Sequence, residues 1–239
     1  MQLDEAFRRL NIVQDFIPVG SSNRPGTRLT PTSITIHNTD NTNRGANAAA
    51  HARYVKSQDA RDRQVSWHYT VDDNFVFQSL PTNEVGWHAG PGNRSSIGIE
   101  ICMHEGMNVP AAYDRAALLT AVMAHQLGVS VQNGVVQHHS WTGKHCPRVL
   151  RDKPNGWTSF LQSVRTYYGA LQNVFATEIA LEGLALENCC EIVSAAKVRK
   201  ASKRSKKRAR AAKKPAARRA GPKKAQHKTK RRPRKRRAA

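Results

Sequence analysis

The sequence lacks long apolar segments and has few cysteines, and both absences restrict the class of protein. No run of about 18 apolar residues occurs, so we expect no membrane-spanning helix. The opening residues MQLDEAFRRL contain no apolar core of signal-peptide length, so we expect no standard Sec signal. The four cysteines, which include the adjacent Cys189 and Cys190, show no disulfide-framework spacing, and this favours synthesis in a reducing compartment.

Acidic residues are missing from one end of the chain. Residues 197–239 contain 23 lysines and arginines but no aspartate or glutamate. The preceding residues hold 16 basic and 17 acidic side chains, so the net charge of +22 belongs almost wholly to the tail. A segment of this composition cannot bury enough apolar surface to become ordered. We therefore predict a disordered polycationic tail at 197–239.

Residues 1–168 mix two hydrophobic periodicities. Alternation of apolar and polar residues predicts strands, and a spacing of three or four residues predicts helices. The predicted strands are Ser33–His37, Trp67–Val71, Phe75–Leu80 and Ile97–Cys102, and the predicted helices are Asn47–Lys56, Pro110–Leu127 and Trp157–Tyr168. Asp72–Asn74 is typical of a hairpin turn. This mixture predicts an α/β domain with helices packed on a central sheet.

A different pattern follows the predicted domain. Leu171, Phe175 and Ile179 recur every four residues, which predicts an amphipathic helix or pair of helices over 169–196. We interpret this segment as a connector that docks on the domain or mediates self-association. The chain is thus divided into a domain at 1–168, a helical connector at 169–196 and the tail.

The segment QHHSWTGKHCP, residues 137–147, concentrates candidate metal ligands in a turn-rich stretch. It contains the adjacent His138 and His139. A histidine eight residues ahead of Cys146 suits one nitrogen and one sulfur ligand of a tetrahedral zinc. Lys144 would then lie beside the metal, where its positive charge can stabilise a developing oxyanion.

Two further polar residues lie on predicted strands. His37 ends the strand SITIH and opens into a loop, which is a suitable position for a ligand. With His138 and Cys146 it makes a His₂Cys set with a fourth position open, the pattern of a catalytic zinc site. Glu100, between isoleucines in IGIEIC, is costly on a central strand unless it has a partner or a task. Near zinc it would serve as a general base.

Five segments, in the order TIHNT, SWHYTVDD, GWHAG, SIGIEIC and QHHSWTGKHCP, resemble the type-2 N-acetylmuramoyl-L-alanine amidase family. This family includes phage lysis amidases, prophage amidases of Gram-positive bacteria and the animal peptidoglycan recognition proteins. The resemblance covers residues 11–150. It implies a central mixed β-sheet flanked by helices, with zinc at the floor of a cleft. The implied activity is hydrolysis of the amide between the lactyl group of N-acetylmuramic acid and L-alanine in peptidoglycan.

The resemblance also implies roles for single residues. The zinc ligands fall on His37, His138 and Cys146, and the family's spacing leaves His139 out of register. The general base of the phage-amidase branch falls on Glu100. The family's lysine falls on Lys144, which is expected to stabilise the oxyanion together with the metal.

Four aromatic or imidazole side chains are candidates for the substrate cleft. His68 in SWHYT and His88 in GWHAG match positions that line the cleft in the family. Trp87 and Trp141 are predicted at the cleft rim, where indole rings can stack on sugars. Trp67 is predicted to lie in the core.

The tail admits three interpretations. It can bind anionic envelope polymers such as lipopolysaccharide or teichoic acid and so deliver the enzyme to its substrate. It can bind nucleic acid without sequence preference, because it has no aromatic residues for base stacking. It can also be a solubilising extension. The first interpretation is the most economical for an enzyme that acts on a cell envelope.

The expected biological role is cell-wall lysis of the endolysin type. In this role the protein is made in the cytoplasm and acts on the wall after release, as in phage or prophage lysis. Two alternatives remain open at this point. One is a cytoplasmic amidase that recycles anhydro-muropeptides, and the other is a non-catalytic peptidoglycan-binding module with a nucleic-acid-binding tail.

Overall fold

The computed structural model describes residues 1–172, so most of the predicted connector and the whole predicted tail lie outside the described residues. The described strands are β1 Ile12–Gln14, β2 Ser33–Asn38, β3 Tyr69–Val71, β4 Val76–Gln78, β5 Ser96–Ile101 and β6 Val135–Gln137. The described helices are α1 Leu3–Leu10, α2 Ala48–Tyr54, α3 Gln58–Asp62, α4 Val109–Leu127, α5 His139–Thr142, α6 Arg148–Asp152 and α7 over 156–172, with a 3₁₀ helix at Gly90–Arg94.

The strands form one mixed sheet in the order β1-β4-β3-β5-β2-β6. Strands β3 and β4 pair antiparallel through the predicted turn, and the other neighbours pair parallel. The parallel strands β5, β2 and β6 therefore end at the same edge of the sheet. The predicted fold, a central mixed sheet flanked by helices, is confirmed.

Both faces of the central strands are covered. All six residues of β2 are buried, and so are five of the six residues of β5. Burial on both faces is typical of parallel strands in α/β proteins. The polar residues of these strands consequently lie in protein interior and need partners there.

Helix α4 supplies the largest helical share of the core. Asn108 caps its start, with its side-chain oxygen accepting from the Ala111 amide, and Gly128 ends it with φ of 67°. Every residue over 116–124 is buried, so this part of the helix is enclosed on all sides rather than along one stripe. The prediction of Pro110–Leu127 was one residue short at the start.

Asp72 joins the hairpin to helix α2. Its Oδ1 atom accepts from the amides of Asn74 and Phe75 inside the turn, at 2.8 and 2.7 Å. Its Oδ2 atom accepts from the amide of Ala48, the first residue of α2, at 2.9 Å. The predicted turn is confirmed, and its first aspartate also satisfies a free donor at a helix start.

The last described helix is longer than predicted. It begins at residue 156 and continues through 172, whereas the pattern predicts an end at Tyr168. Leu171 is fully buried in the main core, and the amino group of Met1 donates to the Ala170 carbonyl at 3.0 Å. The first residues assigned to the connector therefore pack on the domain. Among the described residues, no helix combines the length and apolar character needed to cross a membrane.

Candidate metal centre and cleft

The candidate ligands converge because three neighbouring parallel strands end together. His37 on β2 is the register partner of Glu100 on β5. His138 follows β6 directly, and its amide donates to the Ile36 carbonyl of β2 at 3.2 Å. The chain then turns through Gly143, whose φ is 74°, and returns with Cys146, whose carbonyl accepts from the His139 amide.

The geometry of His37, His138 and Cys146 fits a tetrahedral zinc. One ligand atom from each residue lies within 4.8 Å of the other two, and Cys146 Sγ is 3.8 Å from His37 Nδ1. A tetrahedral zinc with N and S ligands separates its ligand atoms by roughly 3.3 to 3.6 Å. The Nδ1 atom of His138 is buried without a hydrogen-bond partner. A buried nitrogen without a hydrogen-bond partner in this position fits the role of a metal ligand.

Burial keeps both imidazoles neutral. The pKa of His37 is lowered well below its usual value, first by burial and then by the neighbouring His88 and His138. The pKa of His138 is lowered to about 4, mainly by burial and secondly by Lys144. Neutral imidazole is the form that binds a metal ion.

Glu100 lies against the ligand cluster. Its Oε1 atom is 3.7 Å from His37 Nδ1, and its side chain is 13 % exposed. The Oε2 atom is buried and has no hydrogen-bond partner. Burial raises the pKa of Glu100 to about 8, an effect that Lys144 opposes and Asp40 reinforces. A carboxyl group in this range can both accept and release a proton near neutral pH.

A cleft of about 730 Å³ opens above these residues. Its floor contains His37, Glu100 and His138, and Lys144 reaches it from the exposed loop. The walls include Asp40, His51, Tyr54, Arg63, Trp67, Trp87, His88 and Asn93. The cleft thus combines a candidate metal centre, the titratable carboxyl of Glu100 and the cations Lys144 and Arg63 in a single open space.

The N-acetylmuramoyl-L-alanine amidase family matches residues 27–149, which include every candidate ligand and Glu100. The chain belongs to this family. Its match to the N-acetylmuramoyl-L-alanine amidase XlyA of Bacillus subtilis (strain 168) has 51 % identity over 155 residues, which cover 63 % of this chain and 50 % of XlyA. The chain therefore spans half the length of this curated relative.

Solved structures agree with the family assignment. The catalytic domain of XlyA has 49 % identity and a TM-score of 0.60, with 64 % of this chain and 99 % of that chain covered. A mutant endolysin from Bacillus subtilis has 48 % identity and a TM-score of 0.60, with 65 % and 99 % covered.

Two of the four predicted cleft residues of this amidase-family domain line the cleft. They are Trp87 and His88. His68 is fully buried, with Nε2 donating to the Glu84 carbonyl at 2.8 Å and Nδ1 accepting from the Gly98 amide at 3.0 Å. Both nitrogens are used inside the protein, so His68 lies behind the cleft wall rather than in it.

Trp141 anchors the loop from His138 to Cys146, the ligand loop, instead of lining the cleft. Its Nε1 donates to Thr35 Oγ1 at 2.9 Å, and Thr35 in turn donates to Ser96 Oγ at 2.9 Å. Ser96 Oγ donates to the Gly92 carbonyl at 2.8 Å. A Cβ atom added to Gly92 would lie 2.6 Å from the indole ring, so the ring rests directly on the 3₁₀ helix. These contacts tie the loop to β2, β5 and the helix.

Trp67 lies in the core as predicted but also reaches the cleft. Its side chain is 8 % exposed, and its Nε1 donates to Thr70 Oγ1 at 2.7 Å. Tyr54 and Arg63 join it in the wall and were not predicted. Their sequence context carries no motif, because helices α2 and α3 reach the cleft only through the tertiary fold.

Proposed function

We propose that this protein is an N-acetylmuramoyl-L-alanine amidase that hydrolyses the amide between N-acetylmuramic acid and L-alanine in peptidoglycan. The carrying observation is the convergence of His37, His138 and Cys146 with Glu100 at the floor of an open cleft. The similarity to XlyA and to its catalytic domain supports the same reaction.

The resident metal in this proposal is zinc. His37, His138 and Cys146 would hold it, because two nitrogens and one sulfur are a preferred zinc donor set and leave one position open. When bound, zinc supplies a Lewis acid that polarises the substrate carbonyl and makes water a stronger acid. Cys146 must lose its proton to bind, and burial, assisted by Glu100, holds the pKa of its thiol at about 11 in the absence of metal.

Glu100 carries the proton transfers in the proposed mechanism. Its unpartnered Oε2 accepts a proton from the attacking water while the new C–O bond forms at the amide carbon. The same carboxyl then gives a proton to the alanine nitrogen as the C–N bond breaks. The products are a free lactyl carboxylate and a peptide with a new N-terminal alanine.

Lys144 stabilises charge in the transition state. Its side chain lines the cleft, and its positive charge acts on both Glu100 and His138. An ammonium group that lines the cleft favours the oxyanion that develops on the attacked carbonyl. Trp141 ties this loop to β2, so the backbone that carries Lys144 is held beside the cleft.

The test is digestion of purified peptidoglycan with the full chain, followed by mass analysis of the products and assay of new amino termini. We expect release of peptides that begin with L-alanine, loss of release after zinc chelation, and recovery when zinc is added back. Binding without any release would instead support a non-catalytic peptidoglycan-binding module. Release from anhydro-muropeptides but not from intact peptidoglycan would support a recycling amidase.

We further propose that the enzyme has a lytic role, acting on the wall after its release, and that residues 197–239 bring it to the envelope. The 23 basic residues and absent acidic residues of this segment favour binding to anionic polymers such as teichoic acid or lipopolysaccharide. In this proposal residues 1–168 form the catalytic domain and 169–196 the connector to the tail.

Deletion of 197–239 tests the role of the tail. The truncated chain should show reduced lysis of whole cells but keep its rate on purified peptidoglycan. Equal loss on both substrates would contradict delivery by the tail. A salt-sensitive shift of DNA by the tail peptide, with unchanged lysis by the truncated chain, would favour nucleic-acid binding.

A further inference from the structure

His88 makes a polar contact with a candidate zinc ligand on the side away from the metal. Its Nδ1 atom lies 3.0 Å from Nε2 of His37. On its other side, His88 Nε2 lies 3.3 Å from the Ser96 carbonyl oxygen. The three groups form a chain from a strand carbonyl to the ligand imidazole.

The direction of this chain follows from hydrogen-bond chemistry. A carbonyl oxygen can only accept, so Nε2 of His88 must carry the proton that is donated to Ser96. Neutral imidazole has one protonated nitrogen, which leaves His88 Nδ1 as an acceptor. Nε2 of His37 must then donate to it, and the lone pair of His37 is left on Nδ1. That atom faces Cys146 Sγ and Glu100 Oε1, at 3.8 and 3.7 Å.

Two further residues, Asn93 and Gly98, determine the position of the His88 ring. Asn93 Oδ1 accepts from the backbone amides of His88 and Ala89, at 2.9 and 2.7 Å, and so fixes the loop. Gly98 lies in the middle of β5, and a Cβ atom there would come within 2.8 Å of the ring atoms Cγ and Nδ1. Glycine weakens a strand interior unless a close approach requires it. Here the close approach is that of the His88 ring.

We propose that His88 is a positioning residue that holds His37 in its Nε2–H tautomer, so that Nδ1 is presented to the metal. This inference rests on the proposed zinc centre and goes beyond it, because it assigns the cause of the ligand's orientation. His68, although adjacent in the fold, does not share the task, since both of its nitrogens bond to backbone groups. Loss of a partner that orients a ligand histidine typically weakens metal binding by about 10- to 100-fold.

The tautomer can be read without metal or substrate. The full chain is labelled with ¹⁵N-histidine, freed of metal, and examined by long-range ¹H–¹⁵N correlation, which distinguishes Nε2–H from Nδ1–H rings. We expect His37 to be Nε2–H in the parent protein. In His88→Leu the acceptor is gone, and His37 should shift toward Nδ1–H, facing Glu100. In His88→Asn the side-chain oxygen can replace Nδ1 as acceptor, and the Nε2–H form should be retained.

Zinc affinity, measured by competition with a chelator, gives the second readout. We expect His88→Leu to weaken zinc binding by about 10- to 100-fold and His88→Asn to recover most of the loss. Gly98→Ala leaves every titratable group in place but displaces the ring, and should weaken binding in the same direction. Circular dichroism and thermal unfolding of the metal-free proteins identify any variant that does not fold.

Unchanged His37 tautomer and zinc affinity in folded His88→Leu would overturn the proposal. If that variant does not fold, loss of the Nε2–H form in folded His88→Asn would overturn it equally. These results are separate from the proposed catalytic function. A parent protein that binds zinc with the expected tautomer but cleaves no peptidoglycan would contradict the amidase activity and leave the role of His88 standing.

Discussion

Nδ1 of His37 and Oε1 of Glu100 lie 3.7 Å apart, because the two residues are register partners on the adjacent parallel strands β2 and β5. A candidate metal ligand and a candidate proton carrier are thus held by the most regular part of the fold. Strand pairing on both sides of β2 and β5 holds the backbones of the two residues in fixed register.

Replacement of Glu100 by Gln separates proton transfer from metal binding. We expect Glu100→Gln to retain zinc and bind peptidoglycan, because Gln has nearly the same size and the three ligands are unchanged. Release of N-terminal alanine should fall by about 10²- to 10⁴-fold, the usual contribution of a general base. The measurements are zinc content per chain and the rate of amino-terminus release.

Glu105→Gln is the matched control for Glu100→Gln. Glu105 is 67 % exposed and pairs with Arg44 on the surface, so its replacement should leave the rate unchanged. Full activity of Glu100→Gln would remove Glu100 from the role of base. Loss of zinc in that variant would instead identify it as part of the metal site.

Lys144→Met tests the role of the Lys144 ammonium group in the cleft. Because the ammonium acts on charge that develops only in the transition state, we expect kcat to fall by about 10²- to 10³-fold with little change in KM. Lys153→Met, which changes an exposed lysine outside the main cleft, is the control. A rise in KM with unchanged kcat would show that Lys144 binds ground-state substrate only.

Gly92→Ala tests the fastening of the ligand loop. The added methyl would lie 2.6 Å from the Trp141 ring, so the ring or the 3₁₀ helix must move. We expect a destabilisation of about 1–3 kcal/mol, measured by urea unfolding, together with weaker zinc binding. Gly169→Ala in helix α7 meets nothing within 4 Å and should be neutral or stabilising by up to about 1 kcal/mol. Equal effects of the two changes would contradict the proposed fastening.

The pair formed by Arg24 and Glu84 predicts a pH-dependent stability. Arg24 donates through Nε and Nη2 to the two carboxylate oxygens, at 2.8 and 2.6 Å, and this lowers the pKa of Glu84 below its ordinary 4.5. A depressed carboxyl pKa stabilises the folded state above the ordinary value, and this stabilisation is lost as pH falls through the lowered pKa. Glu84→Gln should therefore lower the free energy of unfolding by about 1–3 kcal/mol near neutral pH.

Urea unfolding of both proteins across the acid range measures this effect. The difference in unfolding free energy between the parent protein and Glu84→Gln should shrink as the solution is acidified. A difference that stays constant from neutral to strongly acidic pH would show that the charge of Glu84 does not contribute. The backbone carbonyl of Glu84 also accepts a hydrogen bond from His68, which is adjacent to His88 in the fold. The Arg24–Glu84 ion pair therefore also stabilises the position of His68.

Much of the local structure was predictable because it depends on neighbours in the chain. The strands around Ile34 and Ile99, the turn at Asp72 and the helix that ends at Gly128 all follow from periodicity or from the chemistry of one residue. Most of the elements that were missed are short. Strands β1 and β6 have three residues each, and helix α5 has four, which is too few for a periodic pattern to emerge. The exception is helix α1, Leu3–Leu10, whose eight residues were not predicted as a helix.

The residues that carry the chemistry of the site were also predictable from the sequence, because the five ordered motifs contain only a few His, Cys, Glu and Lys residues. What local pattern could not provide was their arrangement. His37 and Glu100 are 63 positions apart, and only the pairing of β2 with β5 makes them neighbours. The different roles of His68 and His88 also depend on the tertiary structure, because the two residues resemble each other in sequence context but differ in their hydrogen bonds.

Composition and periodicity act over a few residues, so they determine which segments become strands or helices and which side chains are available for chemistry. Strand order, register and the close contact of Gly98 with His88 arise from burying both faces of one sheet at once. That burial is a property of the whole domain. It decided which nitrogen of His37 faces Cys146 and Glu100, and no segment of the chain contains this information by itself.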